Sequence, residues 1–342
     1  MAKPPSPLVR AITGFLLQVI VYGLLVYTWY IYVFRICVAL LIWSEYRNVP
    51  LGVLIAFSSL FVLMAAISYT RIINADPGHP DQTPTLQSVE SATTQSSQSH
   101  LPRYCYTPSL FDKTTMTSLP LQDTTILPAL SIVSDPNGAP RFCDICKCFK
   151  PARTHHCSDC NVCVLKMDHH CPWINNCVGH HNYKFFFLFV SYTGLYGLWG
   201  LCSALPLVVI AMRDYDRSLD PQWIVFLIIA FVFGLTICGF ALAHGQYILV
   251  NRTTIESLST RPDHVRVDFD TSGQNYEVVA TSLHDRLWNI GKMNNWRSVM
   301  GNHPIGWILP VYRGLGDGTI YPFNDASYHK ILDQAKRQND MI

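Results

Sequence analysis

"FCDICKCFKPARTHHCSDCNVCVLKMDHHCPWINNC", Phe142 to Cys177, carries eight of the chain's twelve cysteines. That many cysteines in a small secreted protein would suggest a disulfide framework. Here they come in CxxC pairs with histidines between them, which fits metal binding in a reducing compartment better. Structural zinc takes four nitrogen or sulfur ligands in a tetrahedron, and a CxxC turn supplies two of them. Cys143 with Cys146 is one such pair and Cys157 with Cys160 is another, while Cys163 and Cys177, with the histidines, complete two sites. Neighbouring residues in extended chain point to opposite sides. His156 and Cys157 are therefore assigned to different metals, and His169 and His170 to different tasks. A segment this short, with little apolar material, needs such staples to fold.

Two closed sites of three cysteines and one histidine use six cysteines, so Cys148 and Cys171 stay unclaimed along with several histidines. Cys171 follows His169 by two residues and Asp168 by three. Thiol, base and orienting carboxylate are the parts of an activated nucleophile. A thiolate activated by an imidazole attacks thioesters at neutral pH. The competing reading, in which Asp168 to Cys171 only adds metal ligands, stays open on spacing alone.

Outward from this segment the chain changes character. It has 342 residues, 49% of them hydrophobic and 14% charged, with a net charge of +2. Soluble domains average about 25% charged residues, so much of this chain is expected to face lipid. The small net charge argues against a nucleic-acid partner. Spanning a bilayer takes roughly 20 apolar residues. Four windows qualify: about Ile12 to Phe34 with an extension past Arg35 toward Trp43, then Leu51 to Tyr69, Phe185 to Met212 and Trp223 to Val250. Arg35 either snorkels to the far interface or ends the first span. The spans lack the paired charges of a transport pathway, and His244 and Gln246 read as packing hydrogen-bond formers.

Lys3, Arg10, Arg71, Lys184, Arg252 and Arg261 flank the spans on one side. They put both termini and the long middle segment in the cytosol. The short loops are mixed in sign, with Glu45 and Arg47 in one and Arg213, Asp214, Asp216, Arg217 and Asp220 in the other. Met1 to Leu8 is short and Pro-rich, and the apolar run behind it is too long for a signal-peptide core, so no cleavable leader is expected. The chain then divides into 1–72, N-terminus and two spans; 73–140, a flexible Ser/Thr/Pro-rich linker; 141–184, the cysteine-rich zinc segment; 185–250, two further spans; and 251–342, a cytosolic C-terminal region. The linker from about Asp81 to Pro140 holds few large apolar residues and is not expected to fold. The fold class is an all-α polytopic membrane protein, four transmembrane helices with a small cytosolic zinc-knuckle domain.

"CDIC", "KPARTHHCSDCNVCVLKMDHHCPWINNCVGHHNYKFF" and the apolar span behind them resemble the DHHC family of membrane protein S-acyltransferases, or palmitoyltransferases. The likeness covers almost the whole chain: "DPG" at Asp76–Gly78, "TTIE" at Thr253–Glu256 and "GKMNNW" at Gly291–Trp296 stand where the family has its other motifs. Within the family the chain is loosely similar to the fungal vacuolar type. The resemblance implies one structural zinc on Cys143, Cys146, His156 and Cys163, and a second on Cys157, Cys160, His170 and Cys177. It implies Cys171 as the acyl-accepting nucleophile, His169 as general base, Asp168 as its partner, Thr254 as a support for Asp168 and Asn295 as a cap on backbone groups. It also implies a ping-pong transfer of a long acyl group from acyl-CoA to cysteines of membrane-proximal protein substrates. The setting is an endomembrane (Golgi, ER or vacuole) with both termini cytosolic.

Trp173, Phe186, Phe189 and Tyr196 are candidates to line the acyl chain, with ordinary packing as the competing role. Lys150, Arg153, Lys166 and Lys184 are candidates for the CoA phosphates, against a merely solvated role. Cys148 is an extra cysteine that either competes for zinc or is itself acylated, and Cys105 in the linker raises the same question. His180 and His181 read as bystanders. The rival function is a membrane-anchored zinc-binding adaptor without catalysis, in which Cys171 is dispensable or bound to metal.

Overall fold

The computed structural model describes residues 7–42, 50–80, 130–213, 219–269, 275–282, 285–311 and 316–341. Among these, four helices are long and apolar enough to cross a membrane. Helix α1 (Pro7–Tyr30) runs into a π-helical stretch (Ile31–Val38) and a last turn, α2 (Ala39–Ile42), so the first span reaches from Leu8 to Leu41. The other spans are α3 (Leu51–Asn74), α4 (Tyr183–Ala211) and α5 (Pro221–Val250). Helices suit hydrocarbon because they satisfy their backbone groups internally.

The longer reading of the first span holds, and Arg35 does not end it. The Asp220 carboxylate accepts from Arg35 Nε at 2.9 Å and Nη2 at 2.7 Å, and the same side chain caps α5 by accepting from the Gln222 N–H. Sequence reasoning could not find this pair, because its members lie 185 residues apart. Helices α4 and α5 approach so closely that a Cβ on Gly197 would lie 2.5 Å from the Gly234 Cα. Without a hydrophobic force between helices in lipid, small residues at such a crossing let backbones pack directly.

The cysteine-rich segment folds into three hairpins against the membrane-domain end where α3 finishes and α4 begins. They are β2 (Phe142–Cys143) with β3 (Cys148–Phe149), β4 (His155–Cys157) with β5 (Val162–Val164), and β6 (His169–Cys171) with β7 (Asn176–Val178). Lys147, Asn161 and Asn175 lie in the left-handed region in their turns, at φ 54°, 57° and 50°. Asn tolerates that region better than most residues. The Asp-Pro-Gly after α3 docks the first half of the chain onto these hairpins. The Gly78 carbonyl accepts from the Leu165 N–H at 2.9 Å and the Pro77 carbonyl from the His181 N–H at 3.2 Å. Gly78 has φ 98°, which a side chain rarely adopts.

Beyond α5 lie the short α6 (Thr254–Leu258), α7 (Lys292–Met300), α8 (Pro304–Ile308) and α9 (Asp325–Asn339), with a three-stranded antiparallel sheet. Its order is β1 (Leu130–Ser134), β8 (His264–Asp268), β9 (Tyr276–Ala280). Val133, Val265, Val267 and Val279 bury one side of it with Trp288, Phe323, Tyr328 and Ile331. The stretch read as linker through Pro140 therefore ends in a strand. "LSIVS" is too short to announce itself, and its partner strand begins only at His264. The body of the linker with Cys105, and the loop residues Glu45, Arg47, Asp214, Asp216 and Arg217, lie outside the described residues.

Candidate active site and metal centres

The first two hairpins repeat one device. The N–H of Cys146 donates to Cys143 Sγ at 3.5 Å, and that of Cys160 donates to Cys157 Sγ at 3.4 Å. The donor atoms of Cys143, Cys146, His156 and Cys163 lie within 4.8 Å of one another, as do those of Cys157, Cys160, His170 and Cys177. His156 Nδ1 stands 3.6, 3.3 and 4.0 Å from the sulfurs of Cys143, Cys146 and Cys163. His170 Nδ1 stands 3.7, 3.3 and 3.7 Å from those of Cys157, Cys160 and Cys177. A tetrahedral ion with metal–sulfur bonds of about 2.3 Å and metal–nitrogen bonds of about 2.0 Å separates such pairs by about 3.5 Å. Both clusters have the size and donor chemistry to hold a metal ion.

Cys171 belongs to neither set. In β6 the alternation of the strand sends His170 toward the second cluster, while His169 and Cys171 share the other side. His169 Nδ1 donates to Asp168 Oδ2 at 2.6 Å. Asp168 is 1% exposed, and it also accepts from the Thr254 N–H at Oδ1 (2.9 Å) and from the Thr254 hydroxyl at Oδ2 (2.8 Å). Burial alone would raise the Asp168 carboxyl, but the bond and charge of His169 and the Thr254 N–H hold it below the usual range. Burial works against the His169 imidazolium too. Its hydrogen bonds to Asp168 and Cys171 outweigh that and lift the ring to about 9.

The Thr-Thr-Ile-Glu stretch has a local reason. Thr253 is the N-cap of α6 and forms a capping box with Glu256, the Glu256 N–H donating to the Thr253 hydroxyl and the Thr253 N–H to Glu256 Oε2. That fixes Thr254 at the first helical position, facing Asp168. Glu256 in turn accepts from Arg153 Nε at 2.6 Å and Nη2 at 2.8 Å. Arg153 is 3% exposed, donates to the Asn251 Oδ1 and carbonyl, and lies over the rings of Trp288 and Tyr321. Asn295, fully buried, donates to the Leu249 carbonyl at 2.7 Å and accepts from the Ile290 N–H at 3.1 Å, closing the end of α5.

Arg153 is therefore unavailable to a phosphate, and so is Lys184, which is 6% exposed and donates to the Val311 carbonyl. A buried arginine needs a partnered carboxylate, and Glu256, 103 residues away in the chain, supplies it. Lys166 lies over the Tyr321 ring, and Lys150 is half-buried.

The Cys171 side faces an apolar cluster at the ends of the spans, built on Tyr69, Ile72, Ile174, Val178, Phe186 and Val190. The Phe186 ring meets His169 edge-on at 5.0 Å, and Phe189 packs on Tyr69 at 4.8 Å. Tyr196 is buried farther along α4, whereas the Trp173 side chain is 53% exposed and stands apart from this cluster. The His244 Nδ1 pairs with the Tyr183 hydroxyl at 2.9 Å, the packing bond expected of it, and Gln246 is exposed. His180 pairs with the Tyr321 hydroxyl, and His181 packs against Gly78.

A family model described as DHHC palmitoyltransferase matches residues 136–261. The chain is 34% identical over 286 residues to palmitoyltransferase ZDHHC20-B of Danio rerio, covering 82% of this chain and 79% of that protein. The chain belongs to the DHHC palmitoyltransferase family. It is also 29% identical over 322 residues to palmitoyltransferase ZDHHC20 of Homo sapiens, covering 92% of this chain and 78% of that one. To palmitoyltransferase ZDHHC15 of Xenopus laevis it is 35% identical over 192 residues, 56% of this chain, and there the match spans about half of the relative, 52%. The family and the four apolar helices make the chain an integral membrane protein.

Proposed function

We propose that this protein is an S-acyltransferase that takes a long acyl group, palmitoyl above all, from acyl-CoA onto Cys171 and passes it to cysteine thiols of protein substrates at the cytosolic membrane face. One observation carries the reading: Cys171 lies outside both four-donor clusters, beside the Asp168–His169 pair and against the apolar cluster at the span ends.

In this reading the two clusters hold structural zinc, on Cys143, Cys146, His156 and Cys163 and on Cys157, Cys160, His170 and Cys177, and the bound ions brace the hairpins. His169, kept in one tautomer by its Nδ1–H bond to Asp168, uses Nε2 to take the Cys171 proton. The sulfur attacks the thioester carbonyl, the carbon–sulfur bond to CoA breaks, and His169 returns the proton to the leaving thiolate. A substrate cysteine then repeats the steps in reverse and frees Cys171. Thr254 holds Asp168 and Asn295 holds the end of α5. Phe186, Phe189 and Tyr196 line the acyl chain within the helices, with Trp173 at the mouth. Each buried methylene contributes about 0.8 kcal/mol, so a sixteen-carbon chain favours such a cleft over water by on the order of 10 kcal/mol. Its substrates are proteins whose cysteines lie close to an endomembrane surface, and both termini of the enzyme are cytosolic.

The test uses purified protein in detergent with alkyne-palmitoyl-CoA. Wild type takes up a hydroxylamine-labile label. Cys171→Ser loses the label and keeps about two zinc ions per chain, as two four-donor sites require. A fall in zinc in Cys171→Ser would favour the non-catalytic adaptor instead.

A further inference from the structure

The first metal cluster has a neighbour that the second lacks. The two hairpins share one spacing and register: Cys143 pairs across the strands with Cys148, and Cys157 pairs with Val162. The position that one hairpin fills with a valine, the other fills with a thiol. Cys148 is 4% exposed and lies in one buried sulfur cluster with Cys143, Cys146 and Cys163. It is not one of the four donors that lie within 4.8 Å of one another, but it packs against the three cysteines among them. Burial this deep excludes acylation by a membrane-bound donor, one of the two roles its sequence position suggested. Packing alone would need only a small apolar side chain there, as Val162 shows.

We propose that Cys148 is a reserve ligand of the first metal centre, able to replace His156 and convert a three-cysteine, one-histidine site to a four-cysteine site. This rests on the reading that the clusters hold zinc. In the exchange the bond from His156 Nδ1 to the ion breaks, Cys148 gives its proton to solvent, and its sulfur bonds the ion, so the site gains one negative charge. Four thiolates are a common structural set for zinc, and Cys148 packs in one cluster with the three cysteines already at the first site. The first centre is thereby built to keep its ion when its histidine is displaced, and the second is not.

The second hairpin supplies the control within the same chain. In full-length protein purified in detergent, zinc is counted by elemental mass spectrometry. Wild type and Cys148→Val are expected to hold about two ions, one for each four-donor set. His156→Ala keeps about two, whereas His170→Ala, and His156→Ala combined with Cys148→Val, fall to about one. Cobalt in His156→Ala adds the stronger sulfur-to-metal charge-transfer band of a fourth thiolate. If His156→Ala loses its ion as His170→Ala does, or if the double variant keeps both, the proposal is overturned.

A second readout does not depend on the histidine variants folding. Challenged with a chelator, wild type gives up its two ions at different rates, and Cys148→Val loses the slower one on the order of tenfold faster. Equal rates would overturn the proposal too. Wild-type protein that carried no zinc would instead remove the reading beneath it, so the two failures are distinguishable.

Discussion

Thr254→Val isolates one hydrogen bond in the proposed acyl-transfer site. Valine keeps the shape of threonine and its backbone N–H, so the 2.9 Å bond to Asp168 Oδ1 survives and only the 2.8 Å hydroxyl bond to Oδ2 is lost. That oxygen also receives His169 Nδ1, and the carboxylate is 1% exposed, so no solvent replaces the missing donor. A hydrogen bond to a charged group contributes about 1.5–3 kcal/mol. At 1.36 kcal/mol per tenfold in rate, losing it where His169 gains positive charge slows acyl-enzyme formation about 10- to 150-fold. The assay is the quenched-flow rate of label appearing on Cys171 from alkyne-palmitoyl-CoA, with zinc content and thermal unfolding measured alongside. Thr254→Ser, which keeps the hydroxyl, should stay near wild type. A Thr254→Val rate within about twofold of wild type would refute the view that this bond sets the Asp168–His169 pair.

Because the His169 ring is raised to about 9, the acylation rate should climb as pH rises from neutral toward that value. In Asp168→Asn this limb moves down toward the ordinary histidine value of about 6.5 while the plateau falls; an unmoved limb would mean that Asp168 does not set the ring. The sign for stability is opposite: a raised histidine stabilises the fold fully below about 6.5, and this fades as pH rises through about 9, readable in unfolding temperature against pH. Arg153→Met leaves Glu256 buried without its partner and should destabilise by roughly 3–5 kcal/mol. Adding Glu256→Leu should recover part of that, and a double variant as unstable as the two singles summed would show the pair to be uncoupled. Gly197→Leu should abolish monodisperse protein in size-exclusion chromatography, since α4 and α5 have no room there for a side chain. Normal elution would mean that the crossing is looser than described.

The spans and the CxxC pairs were legible because their signals are local, while the full four-donor sets came from the family resemblance. An apolar run must be as long as the bilayer is thick, and a CxxC turn fixes two donors within four residues. His169 and His170 separated in the sequence for the same reason, since a strand alternates sides every residue. What stayed hidden joins distant parts of the chain. Arg35 with Asp220, Arg153 with Glu256, and β1 with β8 are each set by tertiary packing, and nothing within several residues of any member announces its partner. Arg153 and Lys184 looked like free cations because charge is visible in a sequence and burial is not.

The hydroxyl that steadies Asp168 comes from beyond the last span, 86 residues after the carboxylate it holds. A ribosome therefore delivers the hairpins with both four-donor clusters well before the residue that holds Asp168. Until residues past Thr254 have emerged and the fourth helix has entered the bilayer, the Asp168 carboxylate of a nascent chain lacks both of its Thr254 donors. On the proposed chemistry, a product ending before Thr254 would keep both donor clusters yet acylate Cys171 more slowly, because Asp168 lacks both of its Thr254 donors.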